Sequence, residues 1–90
     1  ISFQKGVCGK CYMTKQAQRI ADVFAFPGHI ACDSASRSEL CVPIIVRDEV
    51  IAEIDLDAPK ADYFTVDMEQ EMLEAASDIA QAYLQHEWKF

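Results

Sequence analysis

Four cysteines stand in this 90-residue chain: Cys8, Cys11, Cys32 and Cys41. Cys8 and Cys11 form a C-x2-C pair, and His29 and Cys32 form an H-x2-C pair after a gap of seventeen residues. Three thiolates and an imidazole at such spacing suit a structural zinc site. The second pair, however, lies in the apolar run Ala25-Phe26-Pro27-Gly28-His29-Ile30-Ala31-Cys32 rather than in a glycine-rich knuckle. The rival chemistry is thiol redox. One thiolate attacks an oxidised substrate, and a second resolves the product as a disulfide that a thioredoxin-like protein reduces. A purely structural Cys8–Cys32 bridge is a third reading, worth roughly 3–4 kcal/mol by loop-closure entropy. His29 either tunes the Cys32 thiolate or packs the loop.

Strand periodicity picks out the acids that could work beside a thiol. Leu40, Val42, Ile44 and Val46 alternate with Glu39, Cys41, Pro43 and Ile45. Val50, Ala52, Ile54 and Leu56 alternate with Ile51, Glu53, Asp55 and Asp57. Both runs have the period of two that marks half-buried strands. A three-residue turn, Arg47-Asp48-Glu49, would join them as a hairpin in which Val46 faces Val50, Ile44 faces Ala52, Val42 faces Ile54 and Leu40 faces Leu56. One face is then wholly apolar, and a slip of one residue would mix the faces. The same register sets Glu39 opposite Asp57 and Cys41 opposite Asp55. Like charges across strands repel, so these acids either splay into water or line a pocket for a cationic group. Crowding also keeps one carboxyl protonated, ready to donate to a developing anion. Cys41 reads as a small half-buried hydrophobe on this face.

The remaining elements supply the frame. Residues 1–5 read as a strand end entering the Gly6-Val7-Cys8-Gly9 turn, residues 8–16 as a short helix and residues 19–24 as a short strand. Pro27-Gly28 opens a loop to about Ser38. It is too apolar for a solvated connector and is expected to lie across a cavity or the sheet. Residues 66–86 read as a helix with Thr65 as N-cap and Asp67 in its first turn. Met68, Met72, Ala75, Ala76, Ile79, Ala80 and Tyr83 recur at three- and four-residue steps, a stripe that covers the sheet. His86 falls on the surface near the helix end.

Composition bounds the function. With 51% hydrophobic and 26% charged residues, the chain is a folded domain or part of one, not a disordered segment. The net charge of −7 leaves no basic face for phosphates and excludes general nucleic-acid binding. The charge is uneven, +3 over residues 1–47 and −10 over residues 48–90, with much of the excess on the solvated face of the last helix. No apolar stretch reaches the roughly 18 residues of a membrane span, so no membrane partner is expected. The start on Ile1 without a signal peptide reads as a chain that begins mid-protein. The free thiols suit a reducing compartment, and the expected location is cytoplasmic.

Longer stretches carry a resemblance. Gly6-Val7-Cys8-Gly9, the run from Asp22 through Pro27-Gly28-His29-Ile30-Ala31-Cys32-Asp33, and Ala35-Ser36-Arg37-Ser38-Glu39 follow one another in order. Val42-Pro43 and Val50-Ile51 through Asp55-Leu56-Asp57-Ala58-Pro59 continue the series. Together they resemble the GAF-domain free methionine-(R)-sulfoxide reductases. The resemblance implies an α+β fold, an antiparallel sheet flanked by helices, with residues 1–90 as the C-terminal portion of a single GAF domain. It implies reduction of free L-methionine-(R)-sulfoxide, in the service of oxidative repair, with Cys32 as nucleophile and Cys8 as resolving thiol. Glu39, Asp55 and Asp57 match the substrate-pocket acids. No bound cofactor or metal is expected. The expected partners are an external thioredoxin-type reductant and a second copy in a homodimer. Cys11, Cys41 and the Ala52-Glu53 pair depart from the pattern. Cys11 then reads as a spare or inert thiol. The competing functions are a non-catalytic GAF small-molecule-binding module and an interaction domain stabilised by zinc on Cys8, Cys11, His29 and Cys32.

Overall fold

The alternating apolar runs form a hairpin, as their periodicity requires. In a computed structural model that describes residues 6–25 and 36–86, strand β2 (Ser38–Val46) pairs antiparallel with β3 (Glu49–Ala58). A short strand β1 (Gln18–Ile20) pairs with the start of β2, giving a three-stranded antiparallel sheet in the order β1-β2-β3. Helix α1 (Gly6–Thr14) precedes the sheet and helix α2 (Val66–His86) follows it. The α+β architecture expected from sequence is the one observed. Residues 1–5 and the loop carrying His29 and Cys32 lie outside the described residues.

Two faces of β2 are buried by two different helices. Leu40, Val42, Ile44 and Val46 pack with Ala58, Phe64, Ala76 and Ala80, and Met68, Met72, Leu73, Ile79 and Tyr83 of α2 close over them. Cys41, on the opposite side, packs with Val7 and Cys11 of α1. The stripe read from the last helix is therefore its core face. Thr65 caps the helix as expected, its Oγ1 accepting from the Met68 N–H at 3.1 Å.

The hairpin register matches expectation from Glu39↔Asp57 to Ile44↔Ala52 and then departs from it. Val46 pairs with Glu49 and Ile45 with Val50, so Ile51 is an extra residue on β3 and the connection is two residues, not three. Arg47 and Asp48 both have positive φ, 52° and 66°, as a type I′ turn demands. That turn matches the right-handed twist of the strands, and the bulge restores the register beyond it. Both Ile51 and Ala52 consequently pack on the apolar core. Arg47 is not a favoured occupant of this turn, and Asp48, though a residue that tolerates positive φ, stands where glycine is preferred. The double substitution Arg47→Asn, Asp48→Gly is expected to stabilise the fold by about 1 kcal/mol, raising Tm by about 4–8 °C. Thermal unfolding followed by circular dichroism checks this. The exposed Lys15–Asp48 ion pair that it removes, at 3.4 Å, contributes little.

The strand expected over residues 19–24 ends early. The Asp22 carboxylate accepts from the Phe24 N–H at 3.0 Å and its carbonyl from the Ala25 N–H at 3.1 Å, turning Val23–Ala25 into a single 3-10 turn. Val23 stays anchored, its N–H donating to the Arg37 carbonyl at 2.8 Å. Past Gln18, β2 has no partner on this edge among the described residues, which suits Pro43 with its missing N–H.

Candidate active site

The face of the hairpin turned toward α1 carries the chemistry. Glu39 and Cys41 on β2 lie across from Asp57 and Asp55 on β3, and Glu53 follows the same two-residue period. Cys8 reaches them from the first turns of α1. That helix starts at Gly6, whose φ of +75° is one that L side chains rarely adopt, although a Cβ there would meet nothing within 4 Å. The glycine is needed for backbone direction, not for space. Val7 and Cys11, buried against Cys41, then set the depth at which Cys8 sits.

The Cys8 Sγ lies 4.0 Å from Glu39 Oε2 and 3.8 Å from the Cys41 Sγ. One ligand atom each of Cys8, Glu39 and Asp55 falls within 4.8 Å of the others. Glu39 is only 7% exposed. Burial, the hydrogen bond it donates to Asp55 and the charges of Asp55, Asp57 and Glu53 push its carboxyl up to about 9. It therefore carries a proton at neutral pH. Asp57 is held by the buried Ser36, whose hydroxyl donates to Oδ1 at 2.9 Å. Of these acids Glu39 is buried, whereas Asp55 and Asp57 are exposed.

The thiols of Cys8 and Cys41 are also held neutral. Burial, then the Asp55 charge, pushes Cys8 up to about 12, outweighing the lowering that the start of a helix gives a thiol. Cys41 is fully buried, and its hydrogen bond with Cys11 together with that burial raises it strongly. Burial raises Glu53 as well, against the lowering effect of the neighbouring Cys11, Cys41 and Cys8 thiols.

The expected site residues Cys8, Glu39, Asp55 and Asp57 thus meet in one place. Cys32 and His29 lie outside the described residues, so neither the Cys8–Cys32 pair nor the four-residue zinc set has a geometry here. Three further residues belong to the cluster: Ser36, Cys41 and Glu53. Glu53 was detectable as the i−2 and i−4 neighbour of Asp55 and Asp57. The approach of Cys41 to Cys8 leaves no trace in strand periodicity.

The sequence matches the family described as GAF domain over residues 1–85. This chain belongs to that family. The GAF chain is 36% identical over 85 residues to the free methionine-R-sulfoxide reductase of Escherichia coli, covering 94% of itself and 52% of that protein. It superposes on the reduced form of the Staphylococcus aureus fRMsr with a TM-score of 0.80 at 44% identity, over 93% of this chain and 54% of that one. The free methionine-R-sulfoxide reductase of Neisseria meningitidis, solved with its substrate, gives a TM-score of 0.81 at 32% identity, over 94% and 50%. The GAF chain spans about half the length of these relatives. Cys41 and Glu53 lie beside Cys8, their ligand atoms within 4.8 Å of one another. No described helix is long and apolar enough to cross a membrane.

Proposed function

We propose that the GAF chain reduces free L-methionine-(R)-sulfoxide to L-methionine by thiol chemistry. The observation that carries this reading is the protonated, buried Glu39 4.0 Å from the Cys8 thiol, flanked by Asp55 and Asp57, in a chain similar to reductases of that name. The Cys32 thiol takes the sulfoxide oxygen and becomes a sulfenic acid as methionine leaves. The Cys8 thiol then attacks the sulfenic sulfur, water departs, and a Cys8–Cys32 disulfide forms. A thioredoxin-like dithiol in the cytoplasm returns both to thiols by exchange. No metal or bound cofactor takes part, and the working unit is a homodimer.

The acids divide two tasks. A sulfoxide oxygen leaves only when protonated or hydrogen-bonded, and the neutral Glu39 carboxyl is a donor suited to that step. The free amino acid also carries an ammonium group, which the exposed Asp55 and Asp57 carboxylates bind. A single-turnover assay tests the reading. Pre-reduced protein, with a chain extended upstream of Ile1 beside it, is offered the free R epimer, the free S epimer and a peptide-bound sulfoxide. Methionine from the free R epimer alone, with two thiols lost per turnover, is the expected result. No methionine from either chain would leave a non-catalytic binding module.

A further inference from the structure

We propose that Cys8, Cys41 and Glu53 form a binding site for a thiophilic divalent cation of the zinc class. The two sulfurs and a Glu53 carboxylate oxygen lie within 4.8 Å of one another. The Cys8–Cys41 Sγ separation is 3.8 Å. A tetrahedral centre with metal–sulfur bonds of about 2.3 Å has a sulfur–sulfur edge of about 3.8 Å, so an ion fits between these sulfurs with almost no movement. Two thiolates and one carboxylate are also the donor types that zinc selects over magnesium or calcium.

A second observation points the same way. Glu53 Oε2 is buried and accepts no hydrogen bond among the described residues. A buried carboxylate oxygen without a donor is costly, and a cation removes that cost. Among the described residues Asp55 lies beside the Cys8 thiol, and the ion pairs Lys15–Asp48, Arg19–Glu69 and Arg37–Asp22 involve neither it nor Glu53. Metal binding expels both thiol protons and leaves two thiolates on the ion. Cys41 is fully buried on the sheet, so it holds its position, and the half-buried Cys8 leaves a fourth coordination position for water or an external thiol.

The site has a functional consequence that rests on the reductase reading, although the site itself does not. A Cys8 sulfur bound to metal cannot resolve a sulfenic acid on Cys32. Metal occupancy and the disulfide exclude each other, so zinc stops the cycle after the first methionine.

Reduced protein stripped with a chelator, then titrated with zinc against a chromophoric competitor, tests the site without any substrate. Cobalt(II) provides the thiolate charge-transfer and tetrahedral d–d bands as a second readout. One zinc per chain is expected. Cys41→Ser and Glu53→Gln should each weaken it at least tenfold, the lower end of what loss of even an outer-shell partner costs. Cys32→Ser and His29→Ala should leave affinity and spectrum unchanged. If Cys41→Ser fails to fold, Glu53→Gln decides, since its side chain is isosteric. Absence of stoichiometric zinc would overturn the proposal. So would binding that survives Cys41→Ser or Glu53→Gln but is lost in Cys32→Ser or His29→Ala, because the ion would then sit on the set with Cys11. Turnover with the free sulfoxide is scored separately on metal-free protein, so a failed reductase reading and a failed metal site give different results.

Discussion

Glu39→Gln is expected to flatten the pH dependence of stability in the metal-free protein. In the folded state the Glu39 carboxyl is pushed up to about 9, whereas in the unfolded chain it titrates near its ordinary value of 4.5. Between those values the folded protein holds a proton that the unfolded chain has released. Stability therefore falls as pH rises from about 5 to about 9, and is fully regained below about 4.5 as far as this group is concerned. The groups facing it are Cys8 from α1 and Glu53, Asp55 and Asp57 from β3, with Ile20 of β1 paired beside its backbone. Thermal unfolding in chelator across that pH range should show Tm declining for the parent chain and a much shallower decline for Glu39→Gln. Glutamine keeps the shape and a hydrogen bond to Asp55 but has no proton to lose. An unchanged slope would mean that Glu39 is ionised in the fold. The same variant should lose about 10²–10⁴-fold in single-turnover methionine formation at neutral pH, the usual contribution of a general acid. Its folded state would be intact, which separates lost chemistry from lost structure.

The second large effect concerns the division of labour between two cysteines. Cys32→Ser should lower methionine formation by at least about a thousandfold, because a serine hydroxyl is not a thiolate and cannot take the oxygen. Cys8→Ser should still release one methionine per chain and then stop, with a sulfenic acid left for a nucleophilic probe to trap. The state of Cys8 supports this order. Burial and Asp55 hold its thiol at about 12, so at neutral pH it is almost entirely protonated and ill suited to attack first. Mass spectrometry of the chain after one turnover distinguishes the cases. A Cys8→Ser variant that forms no methionine at all would reverse the roles.

Much of this was legible along the chain because a strand writes its faces into sequence with a period of two. Leu40, Val42, Ile44 and Val46 can bury only one way, and that choice carries Glu39, Asp55 and Asp57 to a common face. The helix over residues 66–86 was equally plain, since its apolar steps have no other use than to cover a sheet. The turn was not. Arg47 and Asp48 lack the asparagine and glycine that announce a type I′ turn, so periodicity alone favours a three-residue turn where the fold has a two-residue turn and a bulge at Ile51.

Sequence alone determined which residues share a strand face, how the last helix packs, and which family pattern the cysteines and acids follow. Tertiary structure alone decided what lies over that face. Periodicity holds no information about which helix packs on which side. It is the burial of Val7 and Cys11 against Cys41 that lowers Cys8 to within 3.8 Å of Cys41 and 4.0 Å of Glu39. Proton affinity follows from the same packing. A carboxyl whose charge is free in water becomes neutral at pH 7 only when the fold removes its solvent and presses other carboxylates around it, and no residue letter records that.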